Sequence, residues 1–541
     1  MNRKNLNRSF LGAVAVIATL FAIFPLTDTD IWWHLACARE WVNAWTPVRE
    51  PVVNVHEYFQ QIVAFVYGVH GAKLLVAFKA VLWGIVFVLF LRPTVRSLQK
   101  NVFAYSIGVK QSIVLLAFFA ALLFVFRSHF EMRPVVFSLV FLGVYWNVLP
   151  RLFENCENVA KRVGVAAFVL AVQWIWCKCQ GLFVLGPIFA SIVLGTKLFE
   201  LWKEKKEICT KCTILQFFFV MLLFAIPFMH REGLSLFLYP FGLLDRLLGT
   251  SPSAAIFASE IAENRSPFTL LMAGENVLES VLMVVLCVFG LAGGIWNLVC
   301  ENRARDVVRG QSLCTIDAGT LWLVITSILA LVAERNFVLF LPVFFTKILA
   351  YEQTSFLRMI FLVAYRLQIM LRHYLLRNSA KTLFCNLPNS PSNKCCLFLT
   401  VFIAFLLGLW CKSLLSYDSS IAYQRVPVAA AEWMKNHPHQ GRLFNDDRAG
   451  GYLAFTNPSD SIFIDGRFIL KTADFFQRYL EYSESPQLFL HDADSLSIDR
   501  VVLPLRYYAR WNKLIATLNS AENWHVAYRD SFFVVIDCAC R

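Results

Sequence analysis

Apolar and polar positions fall into two regimes along the 541-residue chain. From residue 10 to residue 416, long apolar windows recur between short charged stretches. From residue 417 onward the apolar runs shorten and begin to alternate. The first regime predicts membrane helices, because about 17–25 apolar residues cross about 30 Å of hydrocarbon. Such windows lie near residues 10–26, 72–91, 112–126, 134–150, 163–176, 181–201, 213–229, 277–299, 316–333, 335–350 and 396–416, about eleven in all. The first follows a short basic stretch and is read as an uncleaved span, since no small-residue cleavage site comes after it.

Two stretches depart from this rhythm. Within 28–71, residues 31–45 and 58–69 carry the periodicity of amphipathic helices lying in the membrane interface, and Trp32 and Trp33 read as anchors in the interfacial belt. Residues 417–541 alternate helical and strand patterns: helix 427–437, strands 442–445 and 461–465, helix 472–482, strand 500–504, helix 509–520, and strands 525–529 and 532–537. That order predicts a small α/β domain of about 120 residues. The fold class is therefore a membrane all-α domain over 1–416 with a small α/β domain over 417–541. No repeat of solenoid length is present, and NLPNSPSNK (386–394) reads as a loop.

Composition supports the membrane reading: 58% of residues are hydrophobic and 16% charged, against about 45–50% and about 25% in soluble chains. The formal charge of +13 raises nucleic acid as a partner, but the cations gather in alternate connections. Arg92 and Arg96, Arg151 and Arg162, Lys203 to Lys211, Arg303 to Arg309 and the 351–395 segment all fall on the N-terminal side. The positive-inside rule then puts the N-terminus in the cytoplasm and the C-terminal domain outside a bacterial plasma membrane. Of the 15 cysteines, Cys209 and Cys212 have metal-like spacing without a second pair. Cys177/Cys179 and Cys538/Cys540 face the side where disulfides can form. No nucleotide-binding fingerprint occurs.

This orientation places TDTDIWWHL (27–35) on the outer face, with Asp28, Asp30 and His34 at the end of the first span. His56 and Glu57 lie further along the same connection. Arg127, His129, Glu131 and Arg133 lie in RSHFEMRP, Lys178 in WCKCQG, and Glu260, Glu263 and Arg265 in the long 230–270 connection. Glu334 and Arg335 interrupt two apolar windows with almost no loop; ionisable groups at such depth face a partner or a cavity. Each has a plain alternative: a carboxylate beyond a span is solvated, and a histidine there is an interfacial hydrogen-bonding group. Together they suit a substrate with its tail in lipid and a charged head, such as a polyprenyl-phosphate-linked sugar. A carboxylate would activate an acceptor hydroxyl. Arg, Lys or a divalent metal would neutralise the departing phosphate.

TDTDIWWHLACAREWV and NVHEYFQQIVAFVYGVHG resemble the opening of a set of bacterial polytopic membrane proteins that begin D-x-D-x-W-W-H-L. The likeness continues through MRPVVFSL, LYPFG, SEIAENRSP and AERN, and in NDDRAGGYLAF (445–455) and FIDGRFIL (463–470). The layout is similar to that of C-type (GT-C) glycosyltransferases such as protein O-mannosyltransferases and lipid A aminoarabinose transferases. That resemblance implies Asp30 as base or acceptor contact, with Asp28 as the alternative. It implies substrate contacts for His34, His56, Glu57, Arg133, Lys178 and Arg335, membrane lipid and a polyprenyl-phosphate-linked sugar as partners, and an outer-surface acceptor. The chain departs from the pattern at Lys178-Cys179-Gln180-Gly181, where an N-x-H-G-like stretch is usual. Asp465-Gly466-Arg467 reads as a tight turn with an internal ion pair or as a docking surface, and Gly450-Gly451 as a turn or close packing rather than a phosphate cradle. Two other readings stand: a transporter or flippase of an anionic or lipid-linked substrate, and a non-catalytic envelope assembly protein.

Overall fold

The computed structural model describes residues 3–42, 44–48, 52–100, 109–153, 159–204, 206, 210–248, 255–257, 260–301, 317–351, 393–506 and 508–539. The basic stretches at 303–309 and 352–392, Lys205, Cys209 and Cys540 lie outside these residues. Among the described residues the N-terminal part is helical: α1 (Arg3–Phe21), α2 (Asp30–Arg39), α3 (Glu57–Lys100), α4 (Val109–Val125), α5 (Val135–Phe153), α6 (Val159–Cys177), α7 (Leu185–Lys203), α8 (Lys211–Ala225), α9 (Leu234–Leu248), α10 (Pro267–Met272), α11 (Val277–Trp296), α12 (Ala318–Val332), α13 (Phe337–Tyr351) and α14 (Asn393–Leu415).

Eight helices among the described residues are long and apolar enough to cross a membrane. The chain is a multi-pass membrane protein. The remaining three of the eleven expected spans fall on α1, whose apolar part is Leu6–Phe21, and on α12 and α13, of 15 residues each. Fifteen residues rise only about 22 Å, so the count by length is eight rather than eleven. The reason for α13 is packing: it is buried along nearly its whole length, from Phe337 to Leu349. A helix enclosed by neighbours has no need to match the hydrocarbon thickness.

The segment expected at 58–69 is the first half of α3, which bends at His70 and Gly71 before continuing as a span. Gly71 has φ 64°, a left-handed conformation that side chains other than glycine's adopt at a cost. The interfacial helix expected at 31–45 is instead α2, buried from Ile31 to Cys37. Trp32 is wholly enclosed, with Tyr452 at 4.8 Å and Phe455 at 5.7 Å between ring centroids. The two tryptophans are therefore packing residues under the C-terminal domain and not interfacial anchors, because that domain covers the helix that carries them.

The C-terminal domain comprises α15 (Val428–Lys435), β1 (Arg442–Asn445), α16 (Asp447–Thr456), α17 (Ala473–Glu484), α18 (Pro486–Ser495), β2 (Ile498–Pro504), α19 (Asn512–Ser520), β3 (Trp524–Arg529) and β4 (Phe533–Cys538). The sheet order is β1-β2-β4-β3, with β1 and β2 parallel and the other pairings antiparallel. β2 is buried at all seven positions, as a central strand covered on both faces should be. The expected strand at 461–465 joins no sheet. Its polar backbone is satisfied by the Asn445 side chain, which accepts from the Phe463 amide and donates to the Ile464 carbonyl, and by the Trp45 amide, which donates to Ile462.

Gly450 and Gly451 lie inside α16, capped by Asp446 accepting from the amides of Arg448 and Ala449. Close packing is their role. A Cβ on Gly450 would strike the Ile464 carbonyl, and one on Gly451 would sit 2.9 Å from the Trp33 amide nitrogen. One apolar core consequently runs from the membrane helices through Ile31, Trp32 and Leu35 into Tyr452, Leu453 and Ile462.

Gly451→Val should lower the melting temperature of the detergent-solubilised protein by an amount equivalent to about 1–3 kcal/mol. Gly195→Ala, at a helical site with nothing within 4 Å of the added carbon, should leave it unchanged or raise it slightly. Equal melting curves for wild type and Gly451→Val would sink the packing argument.

Candidate functional site

The connections at the end of the bundle that faces the C-terminal domain converge. Arg133, between α4 and α5, donates to Asp28 Oδ1 at 2.8 Å and pairs with Glu263 of the 249–276 connection. Asp28 is 4% exposed, so its charge has little water to lean on and depends on the guanidinium. Burial alone would raise the Glu263 carboxyl, but Arg133, with Arg335 and His129 behind it, holds it down at about 2. Arg133 itself is kept charged: the pull of Asp28 and Glu263 overcomes its own desolvation.

Asp30 opens α2 two residues beyond Asp28, and its amide faces Asp28 Oδ1 at 3.5 Å. Its carboxyl is pushed well above the usual carboxylate range, first by burial and then by the charge of Asp28. Arg133 and the Trp33 indole N–H oppose that only in part. Gly466 of the FIDGR turn presses on the Asp30 carboxylate so closely that a Cβ there would overlap Oδ1. The turn has the internal ion pair that the sequence allowed. Asp465 and Arg467 form a buried pair at 2.6 Å, and the glycine between them lies against Asp30.

Arg335, in the tight turn Glu334–Asn336, is exposed to solvent. Desolvation lowers its pKa nonetheless, and the nearest charges acting on it are Glu263 and Arg133. Among the described residues no carboxylate stands within ion-pair distance of it. The structure therefore groups Asp28, Asp30, Arg133, Glu263 and Arg335 in one electrostatic cluster.

The other expected residues form a neighbouring group. Lys178 lies 2.9 Å from Glu57 and 2.5 Å from Glu232, and donates to the Asn54 carbonyl at 3.3 Å. Its charge is matched twice over, which leaves little for an anionic ligand. His56 Nδ1 lies 3.2 Å from the Cys179 carbonyl, and burial brings its pKa down to about 4. His34 meets His56 edge to face, 5.1 Å between ring centroids, and is lowered well below the ordinary value by burial, His56, Arg467 and Arg133. Both imidazoles are neutral at pH 7. Cys177 and Cys179 are free thiols.

Two groups in this region were not singled out by sequence. Lys79 is fully buried within α3, donates to the Phe24 carbonyl at 3.0 Å and lies 3.3 Å above the Phe24 ring. Its signal was a lysine well inside an apolar window, six residues beyond Lys73. Glu232 had no signal beyond its place in a long connection. Among the described residues, His129, Glu279 and Glu334 also bring three metal-ligating atoms within 4.8 Å of one another.

No protein-family model and no curated protein matches the chain. Solved membrane transferase structures do. The chain is similar to the archaeal oligosaccharyltransferase AglB from Archaeoglobus fulgidus in complex with an inhibitory peptide and a dolichol-phosphate, at 13% identity and TM-score 0.49, covering 92% of this chain and 69% of that one. It is also similar to ArnT from Cupriavidus metallidurans bound to undecaprenyl phosphate, at 12% identity and TM-score 0.47, covering 97% of each chain.

Arg133→Met should strand the buried Asp28 charge and cost about 3 kcal/mol, read as a lower melting temperature. Asp28→Asn in the same chain should recover part of the loss. The Glu263 contribution has a defined pH window. Since its folded pKa lies near 2, below the free value of about 4.3, its stabilisation is complete above the free value and fades as pH falls toward 2. Arg133→Met should remove that acid sensitivity.

Proposed function

We propose that the chain is a membrane glycosyltransferase that moves a sugar from a polyprenyl-phosphate donor to an acceptor hydroxyl on the outer surface. The observation that carries this reading is the juxtaposition of a base-like carboxylate, Asp30, with a solvent-open guanidinium, Arg335, through the Asp28–Arg133–Glu263 pair. The topology adopted is N-terminus in the cytoplasm and C-terminal domain outside, with α1, α12 and α13 counted with the eight longer helices as membrane-embedded.

In this reading the Asp30 carboxylate takes the proton of the acceptor hydroxyl. The acceptor oxygen attacks the anomeric carbon, and the bond from that carbon to the phosphate oxygen breaks with inversion. The electron pair leaves with the polyprenyl phosphate, whose added charge is met by Arg335, which among the described residues has no carboxylate within ion-pair distance. Arg133 fixes Asp28 and Glu263 and so sets the field at Asp30. A raised carboxyl pKa makes Asp30 a stronger base once ionised. His34 and His56, both neutral, can accept or donate hydrogen bonds to sugar hydroxyls without adding charge. Glu57 and Lys178 serve the shape of that neighbouring wall through their own pairing.

Asp30→Asn should reduce formation of the glycan product by about 10²–10⁴-fold, measured as polyprenyl phosphate released from membranes that contain the purified protein and donor lipid. Product at the wild-type rate would remove Asp30 as the base. The pH dependence has a fixed sign: activity rises as Asp30 loses its proton, so the acid limb should lie above the ordinary carboxylate range. Asp28→Asn removes a negative neighbour that raises Asp30 and should move that limb to lower pH. A limb that stays in place, or moves up, contradicts the assignment.

A further inference from the structure

We propose that His129, Glu279 and Glu334 form a binding site for one divalent transition-metal ion of the zinc or manganese type, separate from the Asp30 cluster and not required by the transfer reading above. The three residues come from three places in the chain: the turn Phe126–His129 after α4, the first turn of α11, and the turn Glu334–Asn336 between α12 and α13. His129 Nε2 is sealed from solvent and has no hydrogen-bond partner, a costly state for a ring nitrogen with nothing to bind. Glu279 Oε2 stands 3.6 Å from it and Glu334 Oε1 stands 3.9 Å from it.

These separations are too long for hydrogen bonds. Bonds of about 2.0–2.2 Å put neighbouring tetrahedral ligands about 3.3–3.6 Å apart; the Glu279 separation meets that range, the Glu334 separation is slightly wider, and all three ligand atoms lie within 4.8 Å of one another. The Ser128 hydroxyl donates to the other Glu279 oxygen, Oε1, at 3.2 Å and so turns Oε2 toward His129. The Glu334 amide donates to the Arg265 carbonyl at 3.0 Å and fixes the turn that presents its side chain. One imidazole and two carboxylates suit zinc or manganese and leave positions for water. The side chains are 17%, 25% and 12% exposed, which shields the ion while leaving an approach from solvent. An ion here would tie the turn leading to Glu131 and Arg133 to the turn that carries Arg335.

The test uses the full chain in detergent, stripped with chelator, exposed to zinc or manganese chloride and then desalted. Bound metal is measured by mass spectrometry and stability by thermal melting. Wild type should retain about one more ion per chain than His129→Ala or Glu279→Gln, and its melting temperature should rise with metal while theirs does not. Ser128→Ala should bind about 10-fold more weakly or worse. In chelator, Glu279→Gln should melt no lower than wild type, because it removes one of two facing carboxylates. If instead the cluster is only an ion pair with protonated His129, Glu279→Gln melts lower in chelator and wild type takes up no more metal than the variants; that result overturns the proposal. Should His129→Ala fail to fold, Glu279→Gln and Ser128→Ala decide the matter by the same readouts.

Discussion

The pairing of Arg133 with Asp28 and Glu263 is the constraint on which the end of the bundle that faces the C-terminal domain depends. It joins residues 105 and 130 positions apart in the chain, from three connections that share no secondary structure. Removing a carboxylate such as Asp28 from water costs several kcal/mol unless a cation and hydrogen bonds replace the solvent. An ion pair of this kind contributes little net stability against an apolar replacement, but it is intolerant of losing one partner. Its effect is therefore to specify geometry. With Arg133 held by Asp28 and Glu263, the first connection, the α4–α5 turn and the long 249–276 connection have one common arrangement, and Asp30 has one electrostatic environment.

The C-terminal domain acts on the same residues from above. α16 brings glycine to Trp33, and the FIDGR turn brings glycine to Asp30. The strand-like segment 461–465 and Lys471 bind residues 45–47 through Thr46 and the backbone of Trp45 and Pro47. Lys471 is itself pulled down to about 8 by burial, as expected for an ammonium enclosed in an interface and satisfied by neutral acceptors. These contacts exclude water from one side of α2. Exclusion of water raises the Asp30 pKa and strengthens every charge interaction around it, so the domain tunes the carboxylate by covering it.

How much of this was legible follows from the range of each interaction. The positions of the apolar helices were legible because crossing hydrocarbon imposes a local length and composition. Residues 461–465 alternate as a strand should, yet their partners are a side chain on β1 and a loop more than 400 positions away, which no local pattern encodes. Trp32 and Trp33 carry the signature of interfacial anchors, and distant residues make them core: Tyr452 and Phe455 against Trp32, Gly451 against Trp33. The polar residues of the site could be named from their place between spans. Their division into an Arg133 cluster and a Lys178 cluster could not, because each depends on a glutamate distant in the chain, Glu263 for Arg133 and Glu232 for Lys178.

That division bears on how an anionic substrate would sit. Lys178 lies between two carboxylates and His34 and His56 are neutral, so the Lys178 group offers a phosphate no net attraction. In the other cluster Arg133 is shared by Asp28 and Glu263, and among the described residues no carboxylate stands within ion-pair distance of the solvent-facing Arg335. A phosphate held there adds negative charge to a field that already favours the protonated form of Asp30. In the proposed transfer the two effects reinforce one another: charge growing on the departing phosphate raises the proton affinity of Asp30 as the acceptor hydroxyl gives its proton up. Proton transfer and leaving-group departure are thereby coupled through the Arg133 pair. The coupling requires only that Asp30 and Arg335 stay fixed about it, which is what the cover of the C-terminal domain over Asp30 and the short Glu334–Asn336 turn provide.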